Sequence, residues 1–451
     1  MRIIILSLFI IGITLPMLYS GTFFQTTKYL NDIDDRVEKK TQVIAEPKSE
    51  IYTLLHSKSL QLTLPKSIET LYHDNNYEPI WSSANSSIMI TILKNIYFDG
   101  LNALNPQYHL QDIELSSNSF LKDLLLSDAF LTLATHHYYG LNYHQQKIDI
   151  DTVSILQNAL LHSNLEKALQ QLKPKHRAYS LFQNYLVNTL EINSTTHKKI
   201  QLNMERWRWF SKEPYTDYII VNIPQFRLKV IEDNHQVLNM RVVVGKEEYK
   251  TPIFDSFLED MILNPYWYTS NTYNEKTLLP ALKNNPETLS WRKIKVFSAT
   301  NLKKGASLNP KSINWNSVNI KDYVFRQDPG NFNPMGDVKF TFENNYNIYL
   351  HDTNHRELFK EDNRELSTGC IRVEKPKMLA IYLFSRESVN YSYHDINVEL
   401  KKGTPRHYKL KHGLPIFISY QTLVIKDKKL LFFEDIYNYD DILQDKIAHK
   451  L

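Results

Sequence analysis

The chain has 451 residues, enough for two or three domains at roughly 150 residues each. At 42% hydrophobic and 12% aromatic it can bury a sizeable core. A formal net charge of +4, from 53 basic and 49 acidic residues, carries no electrostatic signature of a nucleic-acid partner.

Arg2 is followed by an almost uninterrupted apolar run, Ile3–Leu18, broken only by Ser7, Gly12, Thr14 and Pro16. It is short for a membrane span, which needs about 20 residues, and its length suits a secretory signal. Small residues follow at Ser20 and Gly21, but Leu18 is large for the −3 position of a cleavage site, so residues 1–21 read as a signal peptide or a membrane anchor. Either places the remaining chain outside the cytoplasm. No cysteine follows the run, which leaves no bacterial lipid anchor. Residues 22–50 are polar, without a periodic apolar face, and read as a tether.

From 51 to 213 the pattern is that of a helical scaffold. Leu161, Leu165, Leu169 and Leu172 recur at spacings of four and three, the mark of one helix face. From about 215 the period becomes two. Phe226, Leu228 and Val230 alternate with polar residues, Glu232–His235 forms a turn and Val237–Val244 returns, a β-hairpin signal. Residues 270–325 break the strand pattern and read as an insertion or lid. Strands resume at Lys339–Phe342 and Asn347–His351, a helix begins near Pro376, and Pro415–Ile425 with Leu430–Tyr439 reads as a closing hairpin in a C-terminal β extension over 404–451. The fold class is α+β: a helical scaffold domain (51–213), then a mostly β domain (214–451).

Cys370 is the only cysteine, so it cannot form an internal disulfide. It is an inert buried residue, an intermolecular bridge or a reactive thiol. Its surroundings favour the last. Strand alternation puts Tyr349 and His351 on one face and Ile348 and Leu350 on the other. If the chain is extended after the cysteine, Cys370 and Arg372 also share a face, and Ile371 and Val373 are buried. A thiol with a pKa of about 8.5 needs a base or a cation to attack; His351 supplies either, and Arg372 adds a fixed charge able to hold a carboxylate. Gly369 suggests a tight turn that aims backbone N–H groups at an oxyanion, with Ser367 and Thr368 as further donors. Tyr349 is cleft wall or core, and Trp267 is packing or substrate contact. His351 and His355 are four apart, but zinc ligation at that spacing needs a helix, so no metal is expected.

The run Tyr349-Leu350-His351-Asp352-Thr353, then Ser367-Thr368-Gly369-Cys370-Ile371-Arg372, resembles the catalytic motif of YkuD-type L,D-transpeptidases, and most closely their larger YcbB-like branch. His351 and Cys370 are nineteen apart, within the gap of under about twenty residues that the motif of that family shows, although many members carry histidine where this chain has Thr368. Val221–Pro224, Gly245-Lys246 with Thr251-Pro252, Asn264–Trp267, Arg326–Gly330, Lys339-Phe340 and Asp435–Asp440 resemble further segments of that domain, and Tyr77–Trp81 and Met204–Trp209 resemble its scaffold. Larger relatives insert a peptidoglycan-binding module before the Met204–Trp209 segment, where this chain has only about a dozen residues.

The resemblance implies a periplasmic enzyme, soluble or tethered to the inner membrane, whose partners are peptidoglycan stem peptides. It implies Cys370 as nucleophile, His351 as general base and acid, Gly369 as the oxyanion turn, and Arg372, Tyr349, Ser367, Thr368 and Trp267 as substrate-binding residues, with no cofactor. The implied product is a 3→3 cross-link formed through a thioester with release of D-alanine. Passage of the acyl group to water or to an envelope protein stays open, as does, from a different class, a non-catalytic wall-binding scaffold.

Overall fold

The computed structural model describes residues 49–141, 150–189, 191–301 and 306–448. The apolar run 1–21 and the tether up to residue 48 lie outside the described residues. No helix among the described residues is long and apolar enough to cross a membrane.

The N-terminal half is helical and built around Ser119–Tyr139, in which every residue from Asp123 to His137 is buried. A helix apolar on all sides belongs in the middle of a core, and shorter helices surround this one. Its two buried carboxylates satisfy the backbone of neighbouring loops. Asp128 accepts from Thr63 N (2.7 Å) and Leu64 N (2.9 Å), and Asp123 from Ile80 N (3.1 Å) and Trp81 N (3.0 Å). The leucine face expected over 161–172 is split. Thr152–Leu161 ends at an exposed Leu161, and a new helix, Leu165–Leu172, buries Leu165, Leu169 and Leu172. Ser163, at φ 49°, breaks the path between them, a conformation no helix tolerates.

The C-terminal half holds a nine-stranded sheet. Its strands are β1 (Tyr218–Asn222), β2 (Arg227–Glu232), β3 (His235–Gly245), β4 (Phe254–Leu263), β8 (Val338–Phe342), β9 (Leu350–His351), β10 (Glu365–Ser367), β11 (Ile371–Val373) and β12 (Arg406–Ser419). The order is β10-β3-β11-β9-β8-β4-β12-β1-β2, and an additional β2–β3 pairing closes the sheet into a ring with β10 attached outside it. The β2–β3 hairpin turns at Asp233 and Asn234, both at positive φ, as a two-residue loop matched to strand twist requires. One face of the sheet is apolar and packs on Leu379, Ala380 and Leu383 of helix Pro376–Arg386.

Between β4 and β8 lies the insertion. It carries a three-stranded sheet, ordered β5 (Trp267–Tyr268), β7 (Tyr323–Gln327), β6 (Ile294–Ser298), and short helices between Asn271 and Trp291. Leu278, Leu282, Leu289, Val296, Trp315 and Phe325 give it a hydrophobic core of its own.

The C-terminal reading needs correcting. Pro415 lies inside β12, an interior strand between β4 and β1, and not in a closing hairpin. The ladder is already irregular between Lys409 and Leu414, which is where a strand accommodates proline. The hairpin is β13 (Leu423–Lys426) with β14 (Lys429–Phe432), so 404–451 carries three strands, the first of them inside the main sheet, and then the helix Tyr439–Ala448.

The two halves are welded together by helix Ser194–Trp207. Ile200, Met204 and Trp207 share a core with Tyr218, Phe417 and Leu423. Arg206, fully buried, pairs with Asp440 at 2.6 Å, and Lys199 reaches the same carboxylate at 2.7 Å.

Candidate active site

β9 and β11 run parallel, with Leu350 opposite Ile371 and His351 opposite Arg372. Leu350 and Ile371 are fully buried in the sheet's core, so the alternate residues Tyr349, His351, Cys370 and Arg372 share the other face. A one-residue slip would expose both apolar side chains, costing about 1.5–3 kcal/mol each, and bury an imidazole and a guanidinium instead. The core therefore fixes the register, and the register assembles the site.

The turn that presents Cys370 is held by backbone and hydroxyl contacts. Gly369 has φ 110°, a conformation that side-chain-bearing residues rarely adopt. Ser367 Oγ accepts from Gly369 N (3.1 Å) and donates to Cys370 O (2.6 Å). Ser367 is buried, and both bonds of its hydroxyl lie inside the turn. Thr368, by contrast, is exposed. Gly369 N is taken by Ser367, whereas the Cys370 N–H makes no hydrogen bond among the described residues.

The turn docks on the end of β3. Thr251 Oγ1 donates to Gly369 O, the Thr251 N–H reaches Tyr437 Oη, and Tyr437 donates to the Gly245 carbonyl. Gly245 is necessary here because of close approach: a Cβ would stand 2.0 Å from the Tyr249 carbonyl oxygen and 3.1 Å from Gly369 Cα.

His351 is buried, and its Nδ1 has no hydrogen-bond partner among the described residues. Burial, with the charge of Arg372 beside it, lowers its pKa to about 3, against contacts to the backbone of Asp352 and Pro334 that favour the charged ring. The Asp352 carboxylate steadies this region by accepting from Asp337 N (2.8 Å) and pairing with Arg356 (2.6 Å). Asn333 donates to Pro265 O (2.8 Å) and fixes the turn that brings Pro334 to the ring. Burial pushes the Cys370 thiol above its ordinary pKa, although Tyr349, Lys339 and Arg372 pull it down. The thiol donates to Asn347 O at 3.7 Å. Tyr349 packs on His351 with ring centroids 5.7 Å apart, and its hydroxyl is held protonated by burial and by Cys370.

Trp267, expected among the substrate contacts, belongs to the insertion: it sits in β5 and packs edge-on to Tyr273 at 5.7 Å against the insertion's core. His355 is exposed and bonded to Glu357 (3.0 Å), on a loop and not on a helix shared with His351. Sequence reasoning missed Lys339, which pairs with His351 across β8 and β9. Its signal was available: Val338, Phe340 and Phe342 are the buried members of a period-two strand, so Lys339 takes the face of His351.

Comparison with known proteins agrees with this architecture. Residues 216–405 match the L,D-transpeptidase catalytic domain family, YkuD, and residues 66–186 match the Scaffold domain family. Over 389 residues the chain is 27% identical to a curated Haemophilus influenzae protein named "Putative L,D-transpeptidase", covering 82% of this chain and 77% of that protein. The fold and the matches thus define a transpeptidase enzyme. More particularly, the chain belongs to the L,D-transpeptidases with a helical scaffold domain followed by a YkuD catalytic domain.

Proposed function

We propose that this enzyme works in the periplasm and joins peptidoglycan stems by 3→3 cross-links through a thioester on Cys370. The observation that supports this reading is the set of Tyr349, His351, Cys370 and Arg372 on one sheet face, with the Cys370 N–H uncommitted.

Sγ of Cys370 attacks the carbonyl carbon of the third residue, a diamino acid, of a tetrapeptide stem. The thiol proton leaves the Asn347 carbonyl and passes to His351, and the Cys370 N–H donates to the oxyanion. Collapse breaks the C–N bond, His351 protonates the departing amine, and D-alanine leaves a thioester. The side-chain amine of a second stem then attacks. Its proton goes to His351 and from there to sulfur as the C–S bond breaks. With His351 neutral above about pH 3 and the thiol raised, the resting pair is uncharged, so deprotonation accompanies attack. The insertion excludes water from the thioester, which water would otherwise hydrolyse.

Mass spectrometry of the purified protein with disaccharide-tetrapeptide, beside Cys370→Ala, tests this. The expected products are a dimer lighter by one D-alanine than two monomers and a monomer-sized adduct on Cys370. Disaccharide-tripeptide without dimer would replace cross-linking by hydrolysis. Product from Cys370→Ala would refute the thioester.

A further inference from the structure

Two cations flank His351, and among the described residues neither forms an ion pair with a carboxylate. Lys339 in β8 pairs with His351 on one side and Arg372 in β11 on the other, so the three form a row across adjacent strands on one face. The Lys339 ammonium lies 3.8 Å from the centroid of the Tyr349 ring, leaning towards the thiol side of the row. Both side chains are half-buried, and Arg372 Nε is buried without a partner. The carboxylates around them are committed elsewhere: Asp337 to Lys377 (3.0 Å), Asp352 to Arg356 (2.6 Å) and Glu374 to Arg241 (2.5 Å). Glu357, whose charge reaches Arg372, is exposed and bonded to His355. Half-buried cations without an anion are costly, so this row is built for an anion that arrives with the substrate.

We propose that Lys339 and Arg372 together form a carboxylate site beside His351 that takes the C-terminal carboxylate of the departing residue. This rests on the transpeptidase reading above. The leaving amine and its carboxylate share one α-carbon, so a carboxylate held between the two cations brings that amine to His351, the group that must protonate it. The site thereby selects stems that end one residue beyond the bond broken. A longer stem or a C-terminal carboxamide places no charge there.

The test compares a tetrapeptide stem with its C-terminal carboxamide as donors for the wild type, Lys339→Met and Lys339→Arg. In Lys339→Met, the carboxylate-over-carboxamide ratio of kcat/KM falls by about tenfold or more, the loss of one charge-assisted hydrogen bond; any change in the Cys370 thiol common to both donors cancels from that ratio. Lys339→Arg keeps the preference, which separates charge from packing. An equal loss on both donors would overturn the site. A second arm needs no turnover: the ratio of Cys370 alkylation by iodoacetate to that by iodoacetamide falls in Lys339→Met and holds in Lys339→Arg. If the ratio falls while the wild type turns over no tetrapeptide, the carboxylate site stands and the cross-linking reading fails. If turnover is normal while neither ratio nor preference changes, the site fails and the cross-linking reading stands.

Discussion

Thr251 Oγ1 donates to the Gly369 carbonyl at 2.7 Å while it accepts from the Gly245 N–H at 2.8 Å. One buried hydroxyl thus ties the turn that carries Cys370 to the end of β3. Thr251→Val keeps the shape and removes both bonds, leaving a buried N–H and a buried carbonyl unsatisfied, at a cost of about 1–3 kcal/mol each. The expected result is a lower melting temperature together with slower modification of Cys370 by iodoacetamide. Thr251→Ser restores both. A valine variant with wild-type thiol reactivity would mean that the turn holds its position without this residue.

Gly245 contacts the same turn through bare backbone. Gly245→Ala would drive a methyl group into the Tyr249 carbonyl at 2.0 Å and against Gly369 Cα. Because the obstacles are backbone and not flexible side-chain ends, the turn must move, and overpacking of this kind costs typically about 1–3 kcal/mol or more. Circular dichroism melts should show the loss of stability, and stem-peptide turnover should fall by more than the folded fraction does.

The uncharged thiol–imidazole pair has a distinct pH signature. His351 is held at about 3, so it stays neutral and able to accept a proton through the physiological range, and the thiol titrates above its ordinary value. The ultraviolet absorbance of a Cys370 thiolate, taken as the difference between the wild type and Cys370→Ala, should stay absent between about pH 5 and 8. Thiolate absorbance across that range would mark a preformed thiolate–imidazolium pair and contradict the assignment.

Asp440 joins the two halves of the chain. Its carboxylate serves Arg206 (2.6 Å), Lys199 (2.7 Å) and Thr422 (2.8 Å) in a buried setting. Asp440→Ala strands the fully buried Arg206 charge, which costs about 3–5 kcal/mol. Urea unfolding of the variant should show a lower midpoint, and a change of less than about 1 kcal/mol would show that Arg206 finds another partner.

The placement of His351 and Cys370 on one face was legible because alternation is local. Tyr349 and His351 against Ile348 and Leu350, and Cys370 and Arg372 against Ile371 and Val373, each declare their faces within a few residues, and the core honours both. What was not legible depends on pairings distant in the chain. Nothing near Lys339 says that β8 lies against β9, and nothing near Pro415 says that β12 runs between β4 and β1. The bonds of Ser367 were not legible for a different reason. A hydroxyl two residues before a glycine serves a turn or a ligand equally well, and only its bonds to Gly369 and Cys370 decide. The Leu161 spacing failed because periodicity does not register a single left-handed residue at Ser163.

The match to the catalytic family ends at residue 405, yet the ring of strands is sealed by β12, residues 406–419, and the nucleophile's turn leans on Tyr437. Synthesis runs from the other end. While a ribosome is still adding these residues, β1 and β4 are open edges, and the cysteine, already made, sits on a loop with nothing behind it. The turn that carries the thiol is therefore braced by chain made after it. Until β12 joins β4 to β1, the ring behind Cys370 is open, and the folding of one later strand sets the moment at which the site takes its shape.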